Sequence, residues 1–141
     1  MLLAALSEAG FSFATLLAPD SYVAESVSLG DNVYIGSGCR VLEAVQVGAG
    51  AWLDAGVLVE CDAFVGECAT LGAGVIVQQS ARIGQRATLS SGSCVPIAGA
   101  VGEKSEWLLG GRLPAVLPAR SFHDDTLPEG ATIFGGKRQV G

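Results

Sequence analysis

The stretch "VSLGDNVYIGSGCRVLEAVQVG", residues 27–48, repeats itself every six residues. Aliphatic residues stand at Leu29, Ile35, Val41 and Val47, and slender ones at Val27, Val33, Cys39 and Val45. A period of six cannot build one face of an α-helix, because six residues overshoot a whole turn by about two-thirds of another. Two inward residues per six, one aliphatic and one small, instead describe a short strand followed by a bend. The bends fall at Asn32, Gly38 and Gly50, residue types that tolerate positive φ. Gly30 and Gly48 lie one larger period apart, so three sixes make one coil.

Working outward, the aliphatic column runs from Leu17 to Val101 through fifteen consecutive sixths without exception. The small column continues as Ala51, Val57, Ala63, Ala69, Val75, Ala81, Ala87 and Ser93. The glycines recur at Gly66, Gly84 and Gly102. These periods predict an all-β protein, a triangular parallel β-helix of about five coils over residues 17–102. At a strand spacing of about 4.8 Å the prism stands about 24 Å tall. Residues 1–16 form the lead-in, with "MLLAALSEAG" read as a short helix ended by Gly10. Residues 103–141 are read as a C-terminal extension. "EKSEWLLGGRLPAVLPARSFHDDT", residues 103–126, keeps no clear period, and "TLPEGATIFGG", residues 126–136, returns to aliphatics six apart.

Composition agrees with a narrow core filled repeatedly. Half of the 141 residues are apolar, only 6% are aromatic, and there are 20 glycines. The net charge of -6 argues against a nucleic-acid surface. Residues 1–81 balance at -8 and residues 82–141 at +2, so a small anionic ligand is expected at the C-terminal half. The four cysteines include no CxxC pair, and no run approaches 18 apolar residues. A reduced, cytoplasmic setting is the default expectation, with no membrane span.

"FATLLAPDSYVAESVSLGDNVYIGSGCRV", residues 13–41, together with "TLPEGATIFGG", resembles the hexapeptide-repeat acyltransferases, and among them the bacterial sugar acetyltransferases of the sialic-acid and bacillosamine type. The resemblance implies that the prism is left-handed and that the protein is a homotrimer with sites in the clefts between neighbouring prisms. It further implies acetyl-coenzyme A, or another acyl-coenzyme A, as donor, and an amino-sugar or nucleotide sugar as small-molecule acceptor. In the family a nucleotide-sugar domain precedes the prism; here about a dozen residues do.

In that family a histidine flanked by acids deprotonates the acceptor, which then attacks the thioester. Laid on "VLVECDAFVG", residues 57–66, the histidine falls on Cys61 and the following carboxylate on Asp62. A second family histidine, which holds the thioester end, falls on Thr70, and a backbone amide facing the thioester carbonyl falls at Gln79. A positioned base contributes about 10²–10⁴ in rate, so its absence at position 61 matters. Three readings stand side by side. Cys61 is a small outward residue of an altered or inactive site; or Cys61 is a nucleophile, although Glu60 and Asp62 disfavour a thiolate; or a base arrives from elsewhere, His123 being the sole histidine. Lys137 and Arg138, in the tail, suit the phosphates of coenzyme A.

Stacking by eighteen puts Glu43, Cys61 and Gln79 in one outward column. Tyr34, Trp52, Thr70 and Thr88 form another, whose aromatics suit an interface or a cleft. Cys39 falls in the inward column and is read as packing. The prism-shaped zinc carbonic anhydrases need three histidine ligands, and this chain has one, so no metal is expected. The sequence therefore leaves two functions: an acyl-coenzyme A-dependent transferase acting on a sugar or related small molecule, or a non-catalytic trimeric scaffold or ligand-binding module derived from one.

Overall fold

A computed structural model describes residues 14–134. The helix expected within residues 1–10 lies outside the described residues. Short strands, nearly all of two residues, wind into three parallel walls. Wall I stacks Leu16–Leu17, Tyr34–Ile35, Trp52–Leu53, Thr70–Leu71, Thr88–Leu89, Glu106–Trp107 and Ser121–His123. Wall II stacks Tyr22–Val23, Arg40–Val41, Leu58–Val59, Ile76–Val77, Ser93–Val95 and Gly111–Arg112. Wall III stacks Ser28–Leu29, Gln46–Val47, Phe64–Val65, Arg82–Ile83, Ala100–Val101 and Val116–Leu117.

The register is eighteen residues, as in Thr70↔Thr88 and Val47↔Val65. In the two-residue strands from Tyr34–Ile35 to Ala100–Val101 the first side chain faces out and the second faces in, whereas both residues of Leu16–Leu17 and of Gly111–Arg112 are exposed. From Ile35 to Val101 all twelve inward aliphatics are at most 5% exposed, and the small column from Val33 to Ser93 is buried beside them. Wherever Ser occupies that small column the hydroxyl finds a carbonyl. Ser93 Oγ donates to Ser90 O at 2.7 Å, Ser105 Oγ to Gly102 O at 2.7 Å and Ser121 Oγ to Pro118 O at 2.8 Å. Burial therefore leaves none of these groups unpaired.

The bend column has positive φ at every sixth residue from Asn32 to Lys104, whether or not a glycine stands there. Glycine is demanded for a different reason after wall III. A Cβ on Gly66 would lie 2.6 Å from Gln85 N, and one on Gly48 2.6 Å from Glu67 N. At these points one coil lies directly on the backbone of the next.

The prism is longer than the sequence reading made it. Residues 103–123 continue the coil rather than forming an aperiodic extension, giving about six turns. Two causes hid this. Trp107 and His123 occupy inward places that aliphatics hold elsewhere. In addition, the step from Leu113 to Leu117 is two residues shorter than that from Val95 to Val101. Register accordingly changes from Cys94↔Arg112, eighteen apart, to Ala100↔Val116, sixteen apart. Leu113 and Leu117 are nonetheless buried. The strand Ala131–Thr132 then pairs antiparallel with Ser121–His123 and covers the last edge of wall I.

Candidate functional site

The corner between walls II and III carries Cys61. Its outward column reads Glu25, Glu43, Cys61, Gln79 and Ile97, one residue per coil. Coil-to-coil hydrogen bonds fix this stack: Asp62 N donates to Glu43 O at 3.1 Å, Ser80 N to Cys61 O at 3.1 Å and Ala98 N to Gln79 O at 2.9 Å. Ala44, Asp62 and Ser80 all turn the corner with φ near +60°. Asp62 is exposed. The Cys61 thiol is partly exposed and donates to Glu43 Oε2 at 3.6 Å. Against Glu43 opens a groove of about 490 Å³, lined by Tyr22, Val23, Ala24, Glu25, Ser26 and Glu43. Ser26 Oγ accepts from Ala44 N at 2.9 Å, which ties the groove to the corner above it.

The other expected residues are placed unevenly. Gln79 stacks directly on Cys61, beside Asp62. Thr70 is exposed on wall I, between Trp52 and Thr88. It lies half a coil from Cys61, on the wall that faces the II–III corner across the core. One prism therefore keeps Cys61 and Thr70 on opposite sides. Lys137 and Arg138 lie outside the described residues.

His123 does not join Cys61. It is the last inward residue of wall I, paired in register with Trp107, three rungs beyond the level of Leu71. At about 4.8 Å per rung that is about 14 Å along the axis. Its ring packs on Trp107, centroids 5.0 Å apart, and against Gly130. Its Nδ1 is buried with no hydrogen-bond partner. A ring closing the end of a core is not placed to serve the II–III corner.

Other features took their arrangement only from the fold. The corner between walls III and I stacks Arg86, Lys104 and Arg120, a basic edge in the C-terminal coils. Beside it the Glu103 carboxyl is held below the usual carboxylate range, first by the hydrogen bond from Gln85 Nε2 at 2.8 Å and then by Lys104, Arg120 and Arg86. The 86–104 spacing was legible; Arg120 was hidden by the shortened coil. The groove is formed mainly by residues 22–26 of an early coil, a segment that the sequence did not mark as part of a site. On wall I, Tyr34 and Trp52 stack with centroids 4.1 Å apart and planes 23° apart, and Trp52 is 48% exposed. Cys39 is buried in the core, where desolvation pushes its thiol up and its S–H donates to Asp54 O at 2.9 Å. Among the described residues no group of three or more potential metal ligands comes together.

The fold and its six-residue period fit the hexapeptide-repeat acyltransferase class. Among solved structures, the chain is similar to perosamine N-acetyltransferase from Caulobacter crescentus, at 26% identity and a TM-score of 0.83 over 86% of this chain. That enzyme has been crystallised with coenzyme A and GDP-perosamine, including forms in which one histidine is replaced by asparagine or alanine. The chain spans 58% of its length. WeeI from Acinetobacter baumannii shares the fold at 14% identity, with a TM-score of 0.80 over 86% of this chain and 59% of that one. No family model matches the sequence, and no curated protein matches it.

Proposed function

We propose that the chain is an acyl-coenzyme A-dependent acyltransferase, moving an acetyl group to an amino-sugar or nucleotide sugar. The single observation that carries this is the match, over 86% of the chain, to an enzyme crystallised with coenzyme A and an amino-sugar nucleotide. Cys61 and Asp62 form the acceptor side on the II–III corner, where the backbone amide at Gln79 meets the thioester carbonyl, and Thr70 holds the thioester end from wall I. Since one prism holds Cys61 and Thr70 on opposite sides, the site is completed by a neighbouring copy. A homotrimer supplies that neighbour, with the stacked Tyr34 and Trp52 at or beside the contact. The basic edge of Arg86, Lys104 and Arg120 and the tail residues Lys137 and Arg138 suit the phosphates of the donor. A cytoplasmic location belongs to the same reading, because acyl-coenzyme A is an intracellular donor. Among the described residues no helix is long and apolar enough to cross a membrane.

A non-catalytic scaffold is the second reading, favoured by the cysteine at the place of the family base. Thermal stabilisation by acetyl-coenzyme A, followed by release of free coenzyme A in the presence of GDP-perosamine, decides between them. Stabilisation with thiol release supports the transferase. Stabilisation without release leaves a ligand-binding module, and neither leaves a scaffold.

A further inference from the structure

We propose that Glu43 is the general base of this site and that the groove beside it receives a primary amine. The inference rests on the acyl-transfer reading above and deepens it. The stacking of coils puts residue 43 directly beneath residue 61, and the Glu43 carboxylate reaches the Cys61 sulfur at 3.6 Å. It is the one carboxylate hydrogen-bonded to Cys61 among the described residues. The same side chain lines the groove with Tyr22, Glu25 and Ser26. One carboxylate thus spans from the open space to position 61. Gln79, on the other side of Cys61, carries an amide and cannot take a proton.

A thiol is far shorter than an imidazole, so it leaves the Glu43 oxygens accessible from the groove. With Glu25 they give the groove two carboxylates, which attract an ammonium group; that group first loses one proton to solvent by way of Glu25 and reacts as the free amine, with Glu43 still ionised. In the transfer, the amine nitrogen attacks the thioester carbonyl and a C–N bond forms. The C–S bond breaks, coenzyme A departs as the thiolate, and the proton leaving nitrogen passes to Glu43. Glu43 then returns that proton to solvent or to the departing thiolate. Cys61 forms no covalent bond in this scheme.

The test is steady-state kinetics with acetyl-coenzyme A and two amines, GDP-perosamine and D-glucosamine, on the wild type, Glu43→Gln and Glu43→Asp. Glu43 is exposed, so its replacement leaves the core untouched. The expected result is a kcat lowered about 10²–10⁴-fold in Glu43→Gln. Glu43→Asp should fall in between, with melting temperature and stabilisation by acetyl-coenzyme A unchanged in both. A Gln variant with kcat within about threefold of wild type overturns the role of Glu43 and leaves the transferase standing. A wild type that turns over neither amine overturns the acyl-transfer reading and Glu43 with it.

Discussion

At the scale of single residues, the proposed site turns on how little the thiol at position 61 can do by itself. The thiol has a carboxylate on the groove side and Gln79 on the other, and no cation is bonded to it among the described residues. Thiolate nucleophiles need a nearby positive charge or a helix N-terminus, and this corner offers neither. Replacing Cys61 by Ala should therefore leave kcat within about threefold of wild type. Replacing it by His should raise kcat tenfold or more, since an imidazole there adds a base of better-matched pKa and would be oriented by Glu43. Coenzyme A release assays on the two variants check both outcomes; loss of all turnover in Cys61→Ala would restore the nucleophile. The position was legible in the sequence through the flanking Val59, Glu60 and Asp62 and the following Val65–Gly66. Its contact with Glu43 was legible only as a spacing of eighteen, because a spacing does not say that two side chains turn toward each other.

At the scale of the element, the unit is a two-residue strand and a bend, and each has its own vulnerability. Gly66 sits where a Cβ would press into the backbone of the next coil. Gly66→Ala is expected to destabilise the prism by about 1–3 kcal/mol, as overpacking does, and denaturant titration measures it. The turn after the last parallel strand depends on charge instead. The Asp124 carboxylate accepts from Thr126 Oγ1 at 2.7 Å, Thr126 N at 2.9 Å and Leu127 N at 2.8 Å. These bonds, that from the Thr126 hydroxyl foremost, hold its carboxyl below the usual value. A lowered folded value means the turn's stabilisation is complete above the ordinary carboxylate range, near 3.9. It is lost as pH falls through that range to the lower folded value. Amide exchange at Thr126 and Leu127 should thus accelerate, relative to the core amides, only below about pH 4; protection that holds to pH 2 would remove Asp124 as the anchor. Strands of two residues were readable because their inward partners repeat strictly. The last coil was not, because Trp107 and His123 break the aliphatic rule and the shortened step to Leu117 shifts the phase of everything after it.

At the scale of the whole molecule, the prism is a rigid column whose long walls offer flat surfaces to copies of itself. Trp52, half exposed and stacked on Tyr34, is the largest exposed apolar group on wall I among the described residues. Light scattering should give a mass three times that of the 14.3 kDa chain, and Trp52→Ser should shift it toward one. With assembly the Cys61 side of one copy and the Thr70 side of another can meet, so turnover should fall with the mass. Retention of the trimer in Trp52→Ser would move the interface off this face.

The sequence by itself determined the architecture. A strict period of six, with a bend residue at a fixed phase, leaves the chain one way to bury every aliphatic, and the glycines eighteen apart set the coil length. It also set which outward residues share a column, and hence the order Glu43, Cys61, Gln79. Only the tertiary structure decided where the winding stops, what closes its end and which side chains touch. Those outcomes depend on a two-residue change in one corner, on a histidine ring filling an aliphatic place, and on a carboxylate turning toward a neighbouring coil. Periodicity records what each residue must bury; it does not record the local geometry by which exposed groups find one another.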